Sequence, residues 1–501
     1  MEEIASTLER LEKRNSSHLK SYDHSKAKQK QENYAIELRK KIRQNFFNKK
    51  RTLEPITPDS SLSSELKAYI DQNYNFCDSY QEKIYILFEL ITDDNLSLQS
   101  KNYCFSLCSK HLNEIESIVF FLNSSYLPIF LSYLKSESMP TLLQTTHILA
   151  NLTYADSENC EILLDNDIIP LTLWIIENYT GNIQKNCLWA LANLCVGSPR
   201  AQNTLISLGF FKKVIQSIKN DDNYNDKCYV LLAYMMKQIT DIKMTDQALD
   251  LIHKALCDRN KDKEIIIACL FSIFHITKED MNWVDKVLEY KGMAANIVYY
   301  ANMEDNDIVF KAIRVIGNLV SYRNSHTQYM MEYGILDVIY KLIDYKAKRK
   351  IREEALFALS NVVGGDASQI REVFKREGLL EKAMSGIVDC DAAVRREAWQ
   401  VFSLISRFKN KDFTLKLIEK GILQQAMVSV SIEIEQKNIL IALSFFENCL
   451  IAGAIGDYNT VVPLFHEHQI FEYILNLNSS NIQDFLPIRK RIIDNFYKYI
   501  Q

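Results

Sequence analysis

Seven positions recur through this chain at almost constant spacing. Asn151, Asn193, Tyr234, His275, Asn318, Asn361 and Ser403 fall at steps of 42, 41, 41, 43, 43 and 42 residues, each inside an apolar helical segment. Segments such as "NCLWALANLCVGSPRAQNTLISLGFFKKVI" and "EEALFALSNVVGGDASQIREVFKREGLLEKAM" share a pattern: apolar helix, short break, second helix, glycine, third apolar helix. A second ladder follows the break residue through Asp167, Gly209, Gly292, Gly334, Gly378 and Gly421, with steps of 42, 83, 42, 44 and 43. One rung near residue 250 therefore lacks its glycine. Two residue types keeping one period constrain the fold more than any composition does.

A chain of 501 residues is too long for a single compact core, and 13 Gly and 8 Pro are too few for an all-β or loop-rich chain. An all-helical period of 40–47 residues is that of armadillo and HEAT arrays. Glycine at each break suits a helix end in the left-handed conformation. Each unit is too small to bury its own apolar faces, so the units stack. The expected fold is all-α, a right-handed superhelical armadillo solenoid of about nine or ten repeats over residues 75–501. Residues 1–52 form a flexible basic arm, disordered when free, and residues 53–74 a linker.

Charge divides along the same line. The first 51 residues carry 14 Lys and Arg against 7 Asp and Glu, a net of +7, which leaves −11 on the rest of a chain whose total is −4. The body favours a cationic ligand and the arm an acidic partner. Direct nucleic-acid binding is disfavoured by the acidic body and by the few aromatics in the arm, Tyr34, Phe46 and Phe47. Eleven scattered cysteines suit reduced thiols. Cys104, Cys108 and His111 share a helix face at i, i+4 and i+7, but with no fourth ligand nearby they read as core residues and not as a metal site. The N-terminus has no apolar core of a secretory signal, and no apolar run approaches the ~20 residues of a membrane span. Phosphate loops, strong zinc spacings and nucleophile elbows are missing, so no catalytic residues and no cofactor are expected.

Asparagine is a poor helix-interior residue, and here it is often preceded at i−4 by a ring. Trp189 precedes Asn193, and Phe357 precedes Asn361; the same position holds His147, Val230, Phe271, Arg314 and Trp399 elsewhere. That spacing puts both side chains on one face, a turn apart. Stacked helices lie ~8–10 Å apart, and an extended peptide covers ~10 Å in about three residues. A column of amides can thus meet a peptide backbone at regular intervals. Rings between rungs form slots for Lys or Arg stems. Glu354, Asp156 or Asp366 are candidate partners for the cationic heads.

These residues resemble the importin α family, whose armadillo repeats carry Trp-x-x-x-Asn on the third helix. "CLWALANLC" is similar to that motif. "AIRVIGNLV" reproduces the family's Arg-for-Trp exchange with Arg314 and Asn318, and "LFALSNVVGGDASQI" and "REAWQVFSLIS" resemble the next two repeats. The C-terminal "VVPLFHEHQIFEYILNLNSSNIQDFLPIRKRIIDNFY" resembles the family's last repeat. The likeness covers roughly residues 33–499. It implies a nuclear import adaptor, shuttling between cytoplasm and nucleus, that binds basic nuclear-localisation-signal cargo in its groove. The implied N-terminal site is His147, Asn151, Trp189 and Asn193. The implied C-terminal site is Arg314, Asn318, Glu354, Phe357, Asn361, Trp399 and Ser403. "IELRKKIRQNFFNKKR" resembles the importin-β-binding segment: Arg39, Lys40, Lys41 and Arg43 would engage importin β, and Lys49, Lys50 and Arg51 would fold back as an autoinhibitor. An export receptor for recycling is a further implied partner.

The chain departs from the family pattern in places. His147 stands for Trp, Val230 and Tyr234 for a Trp/Asn pair, Gly197 for the aspartate that holds the key lysine, and Ser403 for Asn. The arm opens with "QKQENYAIELRK" in place of a run of arginines. A divergent member with altered cargo choice and a better-preserved C-terminal site is the reading that follows; the alternative is an armadillo interaction scaffold outside nuclear transport.

Overall fold

The computed structural model describes residue 68, residues 70–74 and residues 77–496, apart from 113–114, 155–156, 221–224, 239–241, 345–347, 409–410, 434, 456–457 and 478–485. The basic arm, with Arg39, Lys40, Lys41, Arg43, Lys49, Lys50 and Arg51, and most of the linker lie outside these residues, as does Asp156. The fold is all-α and of the armadillo-repeat type. A short antiparallel pair, Ala454–Ile455 with Tyr458–Asn459, follows the long helix Gln436–Gly453.

The typical repeat is a triplet of helices, seen plainly in Ser157–Asp165, Ile168–Asn178 and Asn182–Gly197. The caps follow from sequence. Ser198 precedes Pro199 and accepts from Ala201 N–H at the start of Pro199–Ser207. Asp305 and Asp391 cap Asn306–Leu319 and Ala392–Arg407 through two backbone N–H groups each. Asp366 and Gln369 form a capping box at Ala367–Lys375. This box accounts for Asp366: its carboxylate is a helix cap, also bonded to Ser368 Oγ at 2.5 Å, and does not stand ready for a ligand's cation.

The break ladder sits where the chain turns from the first helix of a repeat to the second. Asp167, Gly209, Gly292, Gly334, Gly378 and Gly421 all have positive φ, between 52° and 85°. Gln469, φ 58°, holds the corresponding place before Ile470–Asn476. The rung missing near residue 250 has a structural counterpart: Ile242–Cys257 is one unbroken helix, so no left-handed residue is required there.

Two units are distinguishable. In its described residues the first runs to Ile252 and the second from His253. Within the first unit the third helices Leu98–His111, Met139–Leu152, Asn182–Gly197 and Asn225–Met235 pack side by side in order. Within the second, Lys263–Glu279, Asn306–Leu319, Arg349–Val363, Ala392–Arg407 and Gln436–Gly453 do the same. Fully buried rings fill both: Phe88, Phe105, Phe121 and Phe130 in the first, and Phe402, Phe445, Phe446 and Phe465 in the second. Cys104 and Cys108 belong to the first core. Burial pushes the Cys104 thiol up to about 12, and His111 is hydrogen-bonded to the Tyr74 hydroxyl. Among the described residues no group of three or more His, Cys, Asp or Glu is arranged to hold a metal ion.

Candidate functional site

The asparagine ladder is found between neighbouring third helices. Asn151 Nδ2 donates to Ser109 C=O at 3.4 Å, and Asn193 Nδ2 to Ala150 C=O at 3.1 Å. In the second unit Asn318 Nδ2 donates to Phe274 C=O and Asn361 Nδ2 to Gly317 C=O, both at 3.0 Å. Asn193 and Asn318 each add a contact to a threonine hydroxyl of the preceding repeat, Thr153 at 3.4 Å and Thr277 at 3.3 Å. Each acceptor lies 42–44 residues upstream, one repeat away. The amides are only 6–8% exposed. They therefore point neither outward nor into separate cores: each staples its helix to the one before.

This is a use of the ladder that sequence reasoning missed. A fixed amide-to-carbonyl clamp between repeats requires Asn at one register as firmly as a ligand does. It satisfies the polar side chain inside an apolar helix, which would otherwise cost about 1–3 kcal/mol. Ser403 does not continue the clamp. Its hydroxyl is buried and makes no hydrogen bond.

One turn before each clamp the predicted slot positions differ in exposure. His147, Arg314 and Phe357 are half-buried, and Trp189 retains 9% of its surface. His147 Nδ1 contacts Ser109 Oγ at 2.8 Å. Trp399 departs from expectation: it is 0% exposed, its indole N–H donates to Ser429 Oγ at 3.1 Å, and its ring lies 5.8 Å from that of Phe445. It is a core residue, held there because the next repeat supplies a polar partner from its second helix, Ile422–Ile432, and aromatic packing from its third, Gln436–Gly453. Neither Trp399 nor Ser403 lines a face in this conformation.

The slots are also more occupied than the sequence suggests. Lys227 Nζ lies 3.6 Å from the centroid of the Trp189 ring, and Lys311 Nζ 4.1 Å from that of Phe271. The Arg314 guanidinium stacks 3.7 Å over Phe274, and its Nε lies 3.3 Å from a Glu354 carboxylate oxygen. Glu354, expected to await a ligand's cation, thus already has one. Burial, reinforced by Arg314, draws the Lys311 ammonium well below the usual lysine range.

Around Glu354 the second unit concentrates carboxylates. Glu353 is 3.6 Å from Arg396, and Glu397 3.1 Å. Desolvation raises Glu397 to about 7 despite Arg396, with Glu353 and Glu354 adding repulsion. Deeper, Arg395 makes two bonds to Glu433, at 2.7 and 2.8 Å, and Asn438 Nδ2 donates to the same carboxylate at 2.8 Å.

Comparison with known proteins places this arrangement. No family model matches the chain. Importin subunit alpha-1a of Oryza sativa subsp. japonica is 20% identical over 371 residues, 73% of this chain and 68% of that protein. Importin subunit alpha-3 of Arabidopsis thaliana is 19% identical over 341 residues, 66% and 62% of the two chains. The chain thus spans about two thirds of the length of these curated relatives. Among solved structures, an engineered protein superposes with a TM-score of 0.67 at 15% identity, over 83% of this chain and 98% of that one, a likeness of fold. Third helices stapled by asparagine, a ring or cation one turn before each staple, and relatives such as these importin α subunits lead to one likeness: the chain resembles a divergent importin α.

Proposed function

We propose that this protein is a peptide-binding adaptor, without catalytic role, whose third-helix faces hold extended basic segments of nuclear-localisation-signal cargo. The observation that carries the reading is the repeated pairing of a ring or cation with an asparagine one turn later: His147 and Asn151, Trp189 and Asn193, Arg314 and Asn318, Phe357 and Asn361, with His147, Arg314 and Phe357 half-buried and Trp189 keeping 9% of its surface. With each Nδ2 engaged by the preceding helix, the amide oxygens are the groups that accept from a ligand's backbone N–H. The carboxylates of Glu353 and Glu354 supply negative potential to the second face. The basic arm links this cargo to importin β and, through Lys49, Lys50 and Arg51, competes with it; an export receptor returns the empty adaptor to the cytoplasm.

Anisotropy of a labelled peptide of alternating lysine and arginine tests the faces. Replacing Phe357 and Asn361 by Ala is expected to weaken it more than replacing His147 and Asn151; the reverse order would show that the first face dominates. Deleting residues 44–51 should tighten the same peptide in the absence of a carrier, and unchanged affinity would remove autoinhibition. Capture by importin β should require residues 1–51.

A second reading is favoured by the Arg314–Glu354 pair, which neutralises charge a basic ligand needs. It is an armadillo scaffold that keeps the peptide faces and has left nuclear transport. Binding of importin β that does not depend on the arm, or no binding, would select it.

A further inference from the structure

Two of the lysines laid on rings, Lys227 and Lys311, occupy one repeat position. Lys227 and Lys311 are 84 residues, two repeats, apart; each lies three residues before its repeat's slot position, Val230 and Arg314. Their ring partners, Trp189 and Phe271, are the slot residues of the preceding repeat in each case. Both lysines are nearly sequestered, at 4% and 2% exposure, inside their own units. Lysine is seldom buried unless paired. Lys227 has a carboxylate as well as the ring, with Nζ 2.8 Å from Asp226.

This is the contact a ligand lysine would make with the same ring. An ammonium on an indole face is held by the ring's negative quadrupole. A second cation brought to that face meets a like charge within a few ångströms, in surroundings that screen poorly. Resting on the peptide-binding reading above, we propose that Lys227 is a specificity-determining residue: it fills the Trp189 slot from within, so that the ligand position opposite Trp189 takes a neutral or acidic side chain and rejects Lys and Arg. Lys311 covers Phe271 at the same register in the second unit.

The test is a double-mutant cycle on the full chain, with the labelled lysine–arginine peptide as probe and circular dichroism to verify folding. Lys227→Asn should tighten binding by roughly 3- to 30-fold, the worth of one cation–ring contact. In a Trp189→Ala background the same change should give less than about twofold. Equal affinity of wild type and Lys227→Asn, or an undiminished gain without Trp189, would overturn the proposal and leave the peptide reading standing. Binding to neither protein would overturn both. Amine-reactive labelling read by mass spectrometry checks occupancy in the unsubstituted chain, whatever the variants do. Lys227 should react far more slowly than exposed Lys219 and speed up in Trp189→Ala; equal rates for the two lysines in the wild type would also overturn the proposal.

Discussion

The two units solve one problem by different chemistry. Both must bury polar side chains where third helices meet. In the first unit the work falls mainly to neutral groups, with Lys227 the charged exception: Asn151 and Asn193 bond backbone carbonyls, and Asn186 Nδ2 reaches Thr146 Oγ1 at 3.3 Å. The second keeps the amide clamps at Asn318 and Asn361 and adds ion pairs: Arg314–Glu354, Arg352–Asp389 at 3.0 Å, Arg396–Glu353, and Arg395–Glu433. An amide-to-carbonyl bond ignores pH and responds little to salt. Ion pairs among desolvated carboxylates respond to pH because their protonation differs between folded and unfolded chain. One repeat geometry thus carries a unit tied mainly by amides and a unit tied also by a series of ion pairs.

The largest expected effect breaks the deepest of these pairs. Glu433→Ala leaves the Arg395 guanidinium buried without its counter-charge and should cost about 3–5 kcal/mol by urea denaturation; a loss below ~1 kcal/mol would end the contrast. By the same measurement, Asp165→Ala, which removes a partner of exposed Arg200 in the first unit, should leave stability nearly unchanged.

Glu397 comes next. Its folded pKa of about 7 lies above the ~4.3 of an unfolded glutamate, so the folded chain holds the proton more tightly. Its contribution is full below pH ~4, declines as pH rises, and is gone above about 7. Glu397→Gln should flatten that decline and be more stable at pH 8, by on the order of 2 kcal/mol. A wild-type profile with no slope between pH 5 and 8 would show that the carboxyl is solvated.

Removing a neutral clamp is smaller. Asn193→Ala should cost about 1–2 kcal/mol, the same at low and high salt. A salt-dependent loss would mean that the first unit also leans on charge. Smallest, and equal in both units, is the break ladder: Gly209→Ala and Gly334→Ala meet no steric obstacle, so each should lose only the ~1 kcal/mol of a left-handed alanine in thermal denaturation.

Much of the fold is legible because periodicity is a property of sequence. The break ladder reads directly as left-handed turns at Asp167 and the five glycines, and the missing rung as one continuous helix. The site is less legible, since spacing along one helix does not reveal what the adjacent repeat sets opposite. Asn193 is one turn from Trp189 in sequence, but its donor is turned to Ala150 on the preceding helix. Trp399 keeps the slot register yet is buried, because Ser429 and Phe445 close over it from the next repeat. Lys227 and Lys311 had a signal that was there to be read, a lysine three residues before a slot position. It gains meaning only when the slot is seen as facing the next repeat as well as a ligand.

The silent hydroxyl of Ser403 has a mechanical consequence. In a linear array, cooperativity is transmitted by nearest-neighbour coupling, so every junction is a link whose strength is its own. Arg349–Val363 and Ala392–Arg407 meet without the amide cross-tie that joins earlier helices of the series. Ion pairs tie that junction in its place, Arg396 with Glu353 and Arg349 with Asp391, so its strength follows salt and pH where the amide-tied junctions do not.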